Sequence, residues 1–199
     1  MEINLQFVNQ HIRKDIEHDC GVAGAMMLLN RYKTGNPDFL VPDFNQLAIM
    51  LWADIPPEMK GYLSEWGYGA YVTDIYRAFD GMRLSTDSCI GLSSKLATEK
   101  GDYALKCDKM CESCGSCKRP NKNKIEALKK LLQKKYPVMV GICDFQISGT
   151  DEGHWIVIIG YDKEGFIYLD PWLKVKRRKM IEFQKFHEKW DQSYIAIVN

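Results

Sequence analysis

The sequence predicts an α+β fold with helices first and an antiparallel sheet second, and three observations carry that prediction. From Cys20 the chain runs Gly-Val-Ala-Gly-Ala-Met-Met-Leu-Leu, apolar on nearly all sides, as a helix enclosed by other elements must be. Lys124 to Lys135 sets Ile125, Leu128, Leu131 and Leu132 on one stripe among lysines, the pattern of a surface helix. Beyond it, Val138–Ile142, His154–Tyr161, Phe166–Leu169 and Tyr194–Val198 are short runs of β-branched and aromatic residues bounded by Gly, Asp and Pro. At 199 residues and 46% hydrophobic content the chain can bury one substantial core, so residues 1–199 read as a single domain.

Each element has a local reason. Asp19 precedes the first helix as its N-cap, and polar relief comes only at Asn30 and Arg31. Asn45–Ala53 and Val72–Phe79 read as shorter amphipathic helices, separated by Pro56-Pro57 and the stretch from Gly61 to Gly69. Tyr136-Pro137 stops the lysine-rich helix, because proline has no N–H to donate and restricts the residue before it. Asp162-Lys163-Glu164-Gly165 is a hairpin turn, with Gly165 free to take positive φ. Counted outward from that turn, His154 and Asp170 fall near the same end of the two-stranded ladder.

Composition narrows the function. Twenty-seven basic and 26 acidic side chains nearly cancel, which disfavours a nucleic-acid or anionic-membrane partner held by bulk charge. Met1 to Arg13 has neither a basic leader nor an unbroken apolar run, and no window has the length of a spanning helix, so the expected location is the cytoplasm. Seven cysteines is an odd number, and four of them crowd between Cys107 and Cys117, which is poor geometry for a secreted disulfide framework.

Two segments carry chemistry: His18-Asp19-Cys20-Gly21-Val22-Ala23, and Gly153-His154-Trp155 running on to Leu169-Asp170-Pro171. They supply a thiol, an imidazole and a carboxylate. A thiol becomes a competent nucleophile when a neighbouring base or dipole favours its thiolate, and an imidazole is held in one tautomer by an acceptor on its other nitrogen. Cys20 at the first turn of a helix faces unpaired N–H groups and the positive end of the helix dipole. Taken singly, Cys20 is a small buried hydrophobe, His154 a satisfied core histidine and Asp170 a turn former. Their joint placement points to a cysteine-nucleophile enzyme.

Asp19-Cys20-Gly21-Val22-Ala23 before a Met/Leu-rich helix, Pro137-Val138 entering a strand, Gly153-His154-Trp155 with an apolar run to Gly160-Tyr161, and Asp170-Pro171 resemble the papain-like double-glycine (bacteriocin) leader peptidases. The closing pattern of Phe183, Phe186, Trp190 and Ile195-Ala196-Ile197-Val198 is similar too, and the likeness runs in order from Gln10 to Val198. It implies a papain-like fold with Cys20 as nucleophile, His154 as general base and later acid, Asp170 as the orienter of His154, and a peptide or protein substrate with no cofactor required for catalysis. The family places an oxyanion-donating glutamine a few residues before the nucleophile. Lys14 stands there in this chain, and the nearest glutamine is Gln10, so Gln10 is the candidate donor. These 199 residues hold no transmembrane exporter, so the expectation is a stand-alone enzyme. Folds with these three residues also carry out acyl transfer and deamidation, and a non-enzymatic binding module is a further reading.

Cys107, Cys111, Cys114 and Cys117, with three, two and two residues between them, suit a structural zinc, or alternatively an iron–sulfur cluster, in a Cys-rich insertion at about residues 104–123. Free thiols in a loop are the plain alternative. Lys174 to Lys179 contains five basic residues and Lys118 to Lys124 adds more, read as a solvated face rather than a site for an acidic partner or nucleic acid. Trp66, Tyr68 and Tyr71 are candidates either for a substrate groove or for turn packing.

Overall fold

A computed structural model describes residues 2–12, 19–52, 72–89, 121–142 and 154–198. Five helices occur among them: α1 (Cys20–Gly35), α2 (Phe44–Trp52), α3 (Val72–Gly81), α4 (Asn121–Gln133) and α5 (Phe183–Lys189). A 3-10 turn at Gln10–Ile12 precedes α1. Six strands, β1 (Thr86–Cys89), β2 (Val138–Ile142), β3 (His154–Tyr161), β4 (Gly165–Leu169), β5 (Arg178–Glu182) and β6 (Trp190–Ile197), form one antiparallel sheet in the order β1-β6-β2-β3-β4-β5. The α+β architecture expected from the sequence is the one observed.

α1 is the central helix, packed on β2, β3 and β6 and flanked by α2. Every residue from Cys20 to Leu29 except Met26 is buried, so the all-round apolar composition is accounted for. Each fully buried Leu or Met there contributes about 1.5–3 kcal/mol of transfer free energy. Asp19 occupies the N-cap position, and its carbonyl accepts the Ala23 N–H at 2.9 Å, but its side chain makes no capping hydrogen bond. Asp19 is fully buried, so the expected cap is corrected: the residue stands at the N-cap position, but its side chain does not cap the helix.

α4 begins three residues before the expected Lys124 and ends two before Lys135, which takes a positive φ of 67° and closes the helix. Two strands lie outside the expected set. β1 pairs along its whole length with β6, and β5 forms the edge next to β4. β6 itself starts at Trp190, four residues before the expected strand. Phe166 takes Phe183 and Phe186 edge-on, with centroids 5.0 and 4.8 Å away, and Trp190 stacks on Phe186 at 5.0 Å, so the C-terminal aromatics pin α5 to the sheet.

The turn at Asp162–Gly165 forms where expected, but Gly165 takes no positive φ and is instead the residue whose Cβ would run into the Ile181 carbonyl of β5. Asp162 Oδ1 accepts the N–H groups of Glu164 and Gly165, and Asp162 N–H donates to the Gly165 carbonyl. Ile159 is left over between the pairs Ile158↔Tyr168 and Gly160↔Ile167, a bulge, and its carbonyl is taken by the Ile3 N–H at 2.7 Å.

Much of the basic run at 174–179 is tied inward. Lys176 Nζ donates to the Leu5 carbonyl, Arg178 pairs with Glu2 at 2.7 Å, and Lys179 pairs with Asp170. These contacts fasten the N-terminal segment and the end of β4 to the sheet edge. No helix among the described residues is long and apolar enough to cross a membrane.

Candidate active site

Three distant segments meet at the N-terminal end of α1. Cys20 is the first residue of the helix and is buried. His154 is the first residue of β3, and the strand behind it is buried through Gly160, so packing fixes where the imidazole begins. Val157 opposes Leu169 in the β3–β4 ladder. Continued one residue, that register sets Asp170 opposite Ile156, on the face shared with His154.

The side chains complete the approach. His154 Nε2 donates to Asp170 Oδ1 at 2.8 Å, both groups being almost wholly shielded from solvent. The ring's second hydrogen bond is with Cys20, which leaves Nδ1 for the sulfur. Asp170 Oδ1 also accepts the Trp172 N–H at 3.0 Å, and Oδ2 accepts Lys179 Nζ at 2.9 Å.

Burial opposes a charge on His154, but hydrogen bonds to Asp170 and Cys20 and the charges of both outweigh it, pushing the imidazole from 6.5 up to about 9. Asp170 is held below the usual carboxylate range. Burial opposes that too, and the hydrogen bonds and positive charges of His154 and Lys179 overcome it. At neutral pH the centre therefore holds an imidazolium on a carboxylate, with the Cys20 sulfur on the imidazolium's other side.

Gln10 sits close by. It is 1% exposed, its backbone N–H donates to the Pro171 carbonyl at 2.9 Å, and the 3-10 turn that carries it packs against α1. The next residue, His11, donates from Nε2 to the Trp172 carbonyl at 2.8 Å and meets the Trp172 ring edge-on at 5.3 Å. So the segment bearing Gln10 is clasped to the turn after Asp170. Lys14, at the family's usual glutamine position, lies outside the described residues, as do Trp66, Tyr68, Tyr71, Cys107, Cys111, Cys114 and Cys117. Among the described residues no group of three or more His, Cys, Asp or Glu is placed to hold a metal.

The sequence reading brought Cys20, His154 and Asp170 together but missed Lys179, whose signal was diluted among four neighbouring basic residues. A stricter count of strand parity could have separated it, since Arg178 and Lys179 must face opposite sides of a strand.

The Peptidase_C39 like family model matches residues 2–197, nearly the whole chain. The chain belongs to that family. Solved structures share the fold at low identity. A Bacillus anthracis protein described as a C39-like peptidase is 17% identical, covering 100% of this chain and 98% of its own, with a TM-score of 0.60. The peptidase domain of Streptococcus ComA, a bi-functional ABC transporter of a quorum-sensing pathway, is 18% identical over 98% of this chain and 100% of its own, at 0.54. The double-glycine-motif protease of an AMS/PCAT transporter, solved with its leader peptide, is 14% identical over 99% and 94%, at 0.53. No curated protein sequence matches the chain. The fold is thus the papain-like one shared by C39 peptidases, and family and fold are those of a cysteine peptidase.

Proposed function

We propose that the protein is a cysteine peptidase that hydrolyses a peptide bond through an acyl-enzyme on Cys20, with His154 moving the protons, Asp170 orienting His154 and Gln10 donating to the oxyanion. The observation that carries the reading is His154 hydrogen-bonded at once to Cys20 and to Asp170 at the start of α1.

An imidazole raised to about 9 is already protonated at neutral pH, so its first act is that of an acid rather than a base. The Cys20 thiolate attacks the substrate carbonyl carbon, and negative charge gathers on the carbonyl oxygen, where Gln10 and the Cys20 N–H are the donors within reach of the helix start. The C–N bond breaks as the His154 proton passes to the leaving amine, and a thioester remains. The neutral imidazole then takes a proton from water, hydroxide adds to the thioester carbon, and the C–S bond breaks to release the acid and restore the ion pair. No step needs a group beyond the chain, the substrate and water.

Exposed Trp172 and Ile12 lie beside Asp170 and Gln10 and offer apolar surface to a peptide's side chains. Because a protease of the same fold is known bound to its leader peptide, leader peptides ending in a Gly-Gly pair are the first substrate class to try.

The test needs no substrate at first. Iodoacetamide alkylation of Cys20, followed by mass mapping across pH, is expected to be rapid at about pH 6 in the wild type and slow in His154→Ala. Equal rates in the two proteins would remove the nucleophile reading.

A further inference from the structure

We infer that Lys179 is a positioning residue whose ammonium group, seated on Asp170 Oδ2, locks the carboxylate so that Oδ1 stays committed to His154. The inference rests on the functional reading of Cys20 and His154 given above, and concerns a residue outside the three expected to act.

Asp170 is fully buried, and its two oxygens have different duties. Oδ1 accepts His154 Nε2–H at 2.8 Å and the Trp172 N–H at 3.0 Å, while Oδ2 accepts Lys179 Nζ at 2.9 Å. A carboxylate torsion is broad and roughly two-fold, so nothing in the Asp side chain itself distinguishes its oxygens or stops it rocking away from the imidazole. The ammonium does. It occupies the second oxygen with a charge-assisted bond, and a buried carboxylate left with that oxygen unmatched would turn to recover a partner.

The fold sets Lys179 apart from its basic neighbours. In β5 it opposes Tyr168, two residues before Asp170 and therefore on the same face, whereas Arg178 opposes Leu169 on the other face. Arg178 pairs with Glu2 and Lys176 reaches the Leu5 carbonyl, both on the N-terminal segment. The titratable groups facing the imidazole are then Cys20 from α1, Asp170 from the end of β4 and, through Asp170, Lys179 from β5. Imidazolium and ammonium share one carboxylate but sit on different oxygens, so the ammonium leaves Oδ1 to the imidazole.

The experiment uses the full chain with Lys179→Met, Lys179→Gln and Lys179→Arg. Two quantities are read: the far-downfield His154 Nε2–H proton resonance, and the rate of Cys20 alkylation by iodoacetamide. The resonance is expected to be sharp in the wild type, broadened or lost in the Met and Gln variants, and restored in Lys179→Arg. Alkylation at pH 7 should fall about tenfold in the two neutral variants, the size expected for one charge-assisted hydrogen bond, and return to within about threefold in the arginine variant. Should Lys179→Met fail to fold, Lys179→Gln and the arginine rescue still decide. A wild-type resonance and wild-type alkylation rate in a folded neutral variant would overturn the inference. Alkylation indifferent to His154→Ala would instead sink the peptidase reading alone, and the resonance would still decide whether Lys179 locks Asp170.

Discussion

β3 and β5 deliver the two cations that meet on Asp170, and they are built in opposite ways. β3 is buried from His154 through Gly160, whereas β5 buries only Ile181 and leaves Arg178, Met180 and Glu182 exposed. His154 is thus held by packing on both faces of a central strand, while Lys179 is held by its place on an edge and by one ion pair. A central strand makes a side chain's position hard to change without unfolding the protein. An edge strand lets a side chain be exchanged with little effect on the core, which makes β5 the place where the site can be tuned.

The largest expected effect comes from the packed side of this comparison. Ile158→Ala, in the fully buried middle of β3, should cost about 2–5 kcal/mol in chemical denaturation, while Met180→Ala on β5 should stay within about 0.5 kcal/mol. Similar losses for the two would erase the distinction. Next in size, Asp170→Asn removes the anion on which both strands converge. Peptide cleavage is expected to drop about 100-fold or more, with the far-ultraviolet circular dichroism spectrum retained. Full activity in that variant would mean that neither strand needs the carboxylate.

A smaller effect follows from protonation. His154 is raised in the folded protein from 6.5 to about 9, so its stabilising contribution is complete below about 6.5 and drains away as pH climbs toward 9. Asp170 is depressed, so its contribution is present above the ordinary carboxylate range and is lost as pH falls through its lowered folded value. Urea midpoints measured between pH 6.5 and 9 should therefore decline in the wild type, and the decline should flatten in His154→Ala. The smallest effect belongs to the outer edge: Arg178→Ala, breaking an exposed pair with Glu2, should cost less than about 1 kcal/mol.

The same contrast explains what could be read in advance. α1 and β3 are dense apolar runs whose burial no other arrangement satisfies, and the Asp162–Gly165 turn fixes the register that brings Asp170 to His154. β5, Arg-Lys-Met-Ile-Glu, and β1, Thr-Asp-Ser-Cys, have no such run, and their strand character comes from the strand each pairs with, the preceding β4 for β5 and the distant β6 for β1. Tyr194 illustrates this, since its hydroxyl donates to Asp87 across the β1–β6 pair. Gln10 was legible only as the nearest glutamine. What places it is the hydrogen bond from its backbone to Pro171, which no local pattern encodes. Lys179 was hidden for the opposite reason, because a run of like charges gives no hint which member turns inward.

β6 lies between β1 and β2, although it is the last of the described strands to be synthesised. Cys20 therefore leaves the ribosome well before His154, and the sheet beneath its helix stays split in two until β6 is inserted. Until β3 is made the thiol has no imidazole beside it, and β3 is in place before β6 is. A chain that stalls before Trp190 carries the thiol but not the closed sheet. Completing the sheet on which α1 rests is therefore left to the last described strand that the order of synthesis supplies.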